Sequence, residues 1–182
     1  SILSESDLSS IWKWNSTEEN YDTKACIHHL IEHQTLTTPK EIALIFGKRE
    51  LDYDGLNRQA NQTARLLFEK GVKSGDLVGV MMDRSIDLVA VLIGIHKAGC
   101  AYVPLDPVYP AERLLYMVKD SGLSALVTES CHQTKLGQLD AQLILYDELS
   151  AELEAFPGDN VNQEVSSESL AYDIYTMSLI HI

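Results

Sequence analysis

The residues whose spacing most plainly suggests chemistry are His29-Leu30-Ile31-Glu32-His33, an H-x-x-E-H arrangement. Histidines at i and i+4 share a helix face and can bind zinc, and a glutamate beside them can polarise a metal-bound water. The neighbouring residues argue for another role. At about 100° per residue the two histidines fall opposite Ile27, Leu30 and Ile31. If that apolar stripe packs on a core, the histidines face water, and the segment is a solvated polar face. We therefore assign no catalytic residue and no metal ligand from spacing. The chain has no G-x-G-x-x-G fingerprint, no Walker A loop and no serine in a G-x-S-x-G elbow. Gly71, Gly75 and Gly79 are spaced by four, but Lys70, Lys73 and Asp76 lie among them. They read as a helix cap, a turn and a strand glycine.

The densest segment is HKAGCAYVPLDPVYPAERL, His96 to Leu114. Pro104, Pro107 and Pro110 each fix φ, so the loop they share is rigid. Asp106 is placed to cap the turn, and Arg113 to pair with Asp106 or Glu112. Taken alone, the segment is scaffold.

The elements that must hold these residues follow from periodicity. SESDLSSIWKWN predicts a short helix capped at Ser4 or Ser6, and STEENYDTKA a polar connector with a boundary near Thr23. CIHHLIEHQ is helical. IALIF and RELDY are short strands around a Gly-containing turn. Leu56, Ala60, Ala64 and Leu67 recur at i+4 on a helix from Asp54 to Lys70 that Gly71 ends. LVGVMM is a buried strand, IDLVAVLIGIHKAG a buried helix capped by Asp83 or Ser85, and AYVPL a strand. A helix starts at Pro110, and ALVT, LILY and LAYDIYT are further strands. SAELEAFPGDNVNQEVSSES reads as a long surface loop. Alternating strands and helices predict an α/β fold with a mostly parallel sheet and flanking helices.

The 182 residues are 45% hydrophobic, enough for one domain core, and carry a net charge of −13. Lys135 is the last Lys or Arg, and every formal charge from Asp140 onward is negative. Such a chain repels phosphate backbones and anionic bilayers, so neither nucleic acid nor membrane is an expected partner. The longest apolar run, Leu88 to Ile95, is too short to span a bilayer. Cys26, Cys100 and Cys131 are dispersed, as suits free thiols in a reducing compartment, and a cytoplasmic location is expected.

Four stretches, in order, resemble the amino-acid-activating adenylation domains of nonribosomal peptide synthetases, within the adenylate-forming ligases. KAGCAYVPLDPVYPAERL carries the strongest likeness, and RELDYDGLNRQANQTARLL resembles an earlier core motif. LAYDIYT resembles the strand leading to the family's phosphate-binding loop. IWKWNSTEENYDTKACIHHLIEHQTLTTPKEIAL resembles the junction after a condensation domain. The resemblance implies residues 1–23 as an interdomain linker, 24–176 as the front part of the large N-terminal adenylation subdomain, and 177–182 as a non-matching tail. It implies ATP with magnesium, an amino-acid substrate, a phosphopantetheine thiol on a neighbouring carrier domain, and a condensation domain in cis.

In that family a Ser/Thr/Gly-rich loop ending in lysine follows the LAYDIYT-like strand, where small residues let backbone N–H groups approach phosphate. Thr176 matches the start of that loop, and MSLIHI follows it here. The chain opens on Ser1 and is apolar to Ile182, so the expectation is a fragment that does not catalyse adenylation by itself. Two other expectations stand beside it: a piece of another AMP-forming ligase such as an acyl-CoA ligase, and a short non-catalytic homologue serving as a binding module.

Overall fold

The computed structural model describes residues 3–20, 24–137 and 139–176. In chain order they form α1 (Glu5–Asn15), α2 (Ile27–Thr37), β1 (Ile42–Phe46), β2 (Arg49–Asp52), α3 (Tyr53–Glu69) and β3 (Leu77–Met81). Next come α4 (Ile86–Lys97), β4 (Ala101–Pro104), α5 (Ala111–Ser121), β5 (Ala125–Thr128), β6 (Gln142–Leu145) and α6 (Ser150–Ala155). β1 and β2 pair as an antiparallel hairpin. Its turn opens on Gly47 at φ 63°, the residue a two-residue hairpin loop favours where φ is positive.

The main sheet has the order β4-β3-β5-β6 and every pair is parallel. Its strands are apolar runs because helices cover both faces. Val78 and Val80 pack with Leu67 of α3 and Val91 and Ile95 of α4. Met81, Val103 and Leu126 pack on the other face with Leu114, Met117 and Val118 of α5. A third cluster joins α3 and α4 to the hairpin through Leu56, Ala60, Ala90 and Ile93.

Side-chain caps set the helix starts. Ser4 and Asp7 form a capping box on α1, Asp52 Oδ1 accepts from Gly55 N–H at 2.8 Å, and Ser85 Oγ accepts from Leu88 N–H at 3.0 Å.

Three expectations are corrected. The inward face of α2 is not the Ile27/Leu30/Ile31 stripe: Ile27 and Leu30 are each 57% exposed, whereas His28 and Thr35 are buried and Ile31 half-buried. The cause is Lys97, buried at the end of α4, whose ammonium pairs with Glu32 and turns the polar side of α2 inward. His29 and His33 are exposed, while the Glu32 between them is engaged elsewhere. LAYDIYT is not a full strand; it forms one parallel bridge, Tyr102 to Tyr172. The polar stretch after β6 is not all loop: it begins with α6, and its later part is tied to α3. There Asn61 Nδ2 donates to Gly158 O (2.8 Å), Gln62 Nε2 to Phe156 O (3.1 Å) and Asn57 Nδ2 to Asn160 Oδ1 (2.9 Å). The expected boundary at Thr23 and the 177–182 tail lie outside the described residues.

Candidate functional site

β3 and β4 are neighbours, but the chain leaves β3 into α4 on one face and leaves β4 into α5 on the other. Such a divergence opens a crevice beyond the carboxyl ends of parallel strands, the usual ligand position in open α/β sheets. Here the crevice has a volume of about 640 Å³. Its walls are Met82, Asp83 and Arg84 after β3, the Pro104–Tyr109 loop after β4, and Ile174 and Tyr175 from the last described segment.

The proline loop is held from several sides. Val108 N–H donates to Asp106 Oδ1 at 2.9 Å, so Asp106 does cap the turn. Lys135 Nζ donates to Pro107 O at 2.5 Å. Arg113 does not pair with Asp106 or Glu112: its guanidinium lies over the Tyr109 ring, 3.9 Å from the centroid.

Residues 171–176 approach along β4. Tyr102 N–H donates to Ala171 O at 3.2 Å and Asp173 N–H to Tyr102 O at 3.0 Å. Because the bridge is parallel, the segment runs toward the same end as Pro104 and Leu105. Tyr175 O–H donates to Asp120 Oδ2 at 2.7 Å; burial first, and the Asp120 carboxylate next, push its pKa up to about 12. Thr176 is exposed at the end of this segment.

Cations are sparse here. Arg84 is the one Lys or Arg lining the crevice among the described residues. Lys97, which stands inside the most motif-like stretch, is committed to Glu32 and Asn160 Oδ1 (3.4 Å). A larger hollow of about 710 Å³ lies beside α3 and α6, walled by residues such as Arg58, Gln59 and Glu154.

Sequence spacing also missed a donor cluster. Asp83, Glu129, Cys131 and His132 lie together where β3 and β5 end, and Cys26, His28 and His29 form another at the start of α2. The first is assembled from two strand exits, so no local motif announces it; the second is masked by the more familiar spacing of His29 with His33.

A sequence profile of the family described as AMP-binding enzyme matches residues 31–177. The chain belongs to the AMP-binding enzyme family. It is 43% identical over 177 residues to a linear gramicidin synthase of Brevibacillus parabrevis, covering 97% of this chain and 3% of that protein. It is 39% identical over 176 residues to bacitracin synthase 3 of Bacillus licheniformis, covering 96% and 3% respectively. The chain thus spans a few hundredths of the length of these relatives.

Among solved structures, the nonribosomal peptide synthetase FmoA3, in its α-methyl-L-serine-AMP bound form, superposes with a TM-score of 0.79 at 26% identity, over 92% of this chain and 18% of that one. A Mycobacterium tuberculosis fatty acyl CoA synthetase shares the fold with a TM-score of 0.77 at 21% identity, over 82% of this chain and 32% of that one. The parallel sheet flanked by helices is therefore that of the AMP-binding family's N-terminal subdomain. No helix among the described residues is long and apolar enough to cross a membrane.

Proposed function

We propose that these residues are the front part of a domain that activates an amino acid with ATP, forming an aminoacyl-adenylate in nonribosomal peptide assembly. The observation that carries the reading is the 43% identity, sustained over 97% of the chain, to the linear gramicidin synthase. The solved relative bound to α-methyl-L-serine-AMP supports it, because that ligand is an amino acid joined to AMP.

On this reading β3, β4 and α5 build the floor of the site, and residues 171–176 deliver the chain to a phosphate loop that Thr176 begins. Backbone N–H groups and a lysine in that loop would face the ATP phosphates, with magnesium accompanying the nucleotide. The acyl group then passes to a phosphopantetheine thiol of a carrier domain, and residues 1–23 form the linker from a condensation domain. Free Cys26, Cys100 and Cys131 suit the cytoplasm, where ATP is available.

Adenylation needs cations on the developing phosphate charge. Among the described residues the crevice offers Arg84 alone, so on this reading they supply scaffold rather than the complete chemistry. Amino-acid-dependent ATP–pyrophosphate exchange tests both halves of the reading. The chain alone is expected to be inactive. The chain joined to the segment that follows the matching region in the linear gramicidin synthase is expected to exchange. Exchange by the chain alone overturns the scaffold role. A folded hybrid that responds to fatty acids and not to amino acids overturns the substrate class.

A further inference from the structure

The charged residues at the ends of β3 and β5 have no part in the proposed chemistry, yet their geometry is specific. His132 Nε2 is shielded from solvent and has no hydrogen-bond partner. Its side chain is 12% exposed, and it faces Asp83 Oδ1 at 3.3 Å and Glu129 Oε2 at 3.7 Å. Charge-assisted N–H···O bonds lie at about 2.7–2.9 Å, so neither separation is that of a well-made bond.

Both separations fit a different arrangement. Two donors each about 2.0–2.1 Å from a tetrahedral zinc stand about 3.4 Å apart. The donor atoms of Asp83, Glu129, Cys131 and His132 all lie within 4.8 Å of one another. Cys131 is exposed at the edge of this group.

We propose that Asp83, Glu129, Cys131 and His132 form a site for a zinc-class divalent cation, clipping the exit of β3 to that of β5. One imidazole, one thiolate and two carboxylates complete a tetrahedral set, and that mixture of donors suits zinc better than magnesium or calcium. The site is pre-positioned by the backbone: Asp83 N–H donates to Glu129 Oε2 at 2.7 Å, which orients that carboxylate. Asp147 stands behind it, accepting from Ser130 N–H (2.9 Å) and Ser130 Oγ (2.5 Å).

The Cys26/His28/His29 group includes no carboxylate. It sits at the positive N-terminal end of α2, and the charge of Lys97 reaches His28. Asp83 also lines the crevice, so the clip would brace one of its walls.

Cobalt(II) added to the 182-residue chain is the probe. The expected result is saturable one-to-one uptake with intense tetrahedral d–d bands and a thiolate charge-transfer band, both displaced by zinc. Cys131→Ser removes the charge-transfer band, while Asp83→Asn and His132→Gln weaken binding by about tenfold or more. Asp83 and Cys131 are exposed, so those substitutions leave the fold, followed by far-UV circular dichroism, intact. The proposal is overturned by a spectrum that stays that of hexaaqua cobalt. It is equally overturned by a thiolate band that survives Cys131→Ser and disappears in Cys26→Ser. Neither result bears on the adenylation reading, which pyrophosphate exchange tests separately.

Discussion

Glu32→Ala should be the most damaging single truncation on α2, although Glu32 sits in no apolar stripe. Its carboxylate faces the ammonium of Lys97, whose side chain is 0% exposed, against 17% for Glu32. Removing one partner of a buried ion pair leaves an uncompensated charge and costs about 3–5 kcal/mol. Asn160 Oδ1, at 3.4 Å from Nζ, remains as a weak neutral acceptor, which favours the lower end, about 3 kcal/mol. For a chain of this size that is a fall in Tm of about 6–12 °C.

The pH dependence gives an independent check. Burial lowers the Lys97 pKa from its usual 10.5, and the Glu32 hydrogen bond and charge oppose that shift. Without Glu32 the folded-state pKa falls further. The unfolded chain then holds a proton that the folded chain sheds, so stability of the variant rises as pH climbs toward the ordinary lysine value. Thermal melts at pH 7 and pH 10 should show the Tm deficit shrinking. Glu32→Leu with Lys97→Met should recover most of the loss, because a well-packed apolar pair replaces both charges. A Glu32→Ala variant within about 0.5 kcal/mol of the parent would refute the buried-charge argument, and so would a deficit that does not change with pH.

Two further perturbations follow from the same packing. Burial, then the charges of His29 and Lys97, lower the His28 pKa to about 4 from 6.5. In that window the unfolded chain binds a proton that the folded chain refuses, so stability declines as pH falls through it, by about 3 kcal/mol in all. Melts of the parent and His28→Gln between pH 7 and pH 4 should diverge, and equal losses in both would count against it. Gly94→Ala places a Cβ 2.6 Å from Thr63 Cβ and 2.9 Å from the Ala60 carbonyl oxygen, where α3 and α4 meet. The gain in helix propensity is about 1 kcal/mol, and overpacking costs about 1–3 kcal/mol. Urea titration should therefore show a net loss, partly relieved by Thr63→Ser, whereas a variant more stable than the parent would mean the helices separate freely.

The sheet and its covering helices were legible because each signal was local. Leu56, Ala60, Ala64 and Leu67 repeat at helical spacing, three of the five β3 residues are Val or Leu, and Ser85, Gly71 and Gly99 mark helix ends. The errors came where a distant partner decides. A stripe of Ile27, Leu30 and Ile31 predicts the buried face of α2 only if the neighbouring surface is apolar. Lys97 makes it polar, so the helix turns Glu32 and His28 inward and leaves Ile27 and Leu30 in water. LAYDIYT has strand composition, but a strand also requires a ladder, and the β4 edge holds it at Tyr172 alone.

The same distinction explains where the chemistry-bearing residues ended up. Lys97 and the H-x-x-E-H glutamate stand in the two most motif-like stretches of the sequence, and packing consumes both in one buried pair. Asp83, Glu129 and His132 look like ordinary surface residues in the sequence, separated by 46 and 3 positions. They converge because β3 and β5 are hydrogen-bonded neighbours, with Met81 opposite Thr128, so the residues that follow each strand must emerge side by side. Parallel pairing thus concentrates functional groups at the carboxyl edge of the sheet from positions that no linear motif connects. It is the register of the sheet, more than the spacing of the sequence, that determines which side chains can act together in this chain.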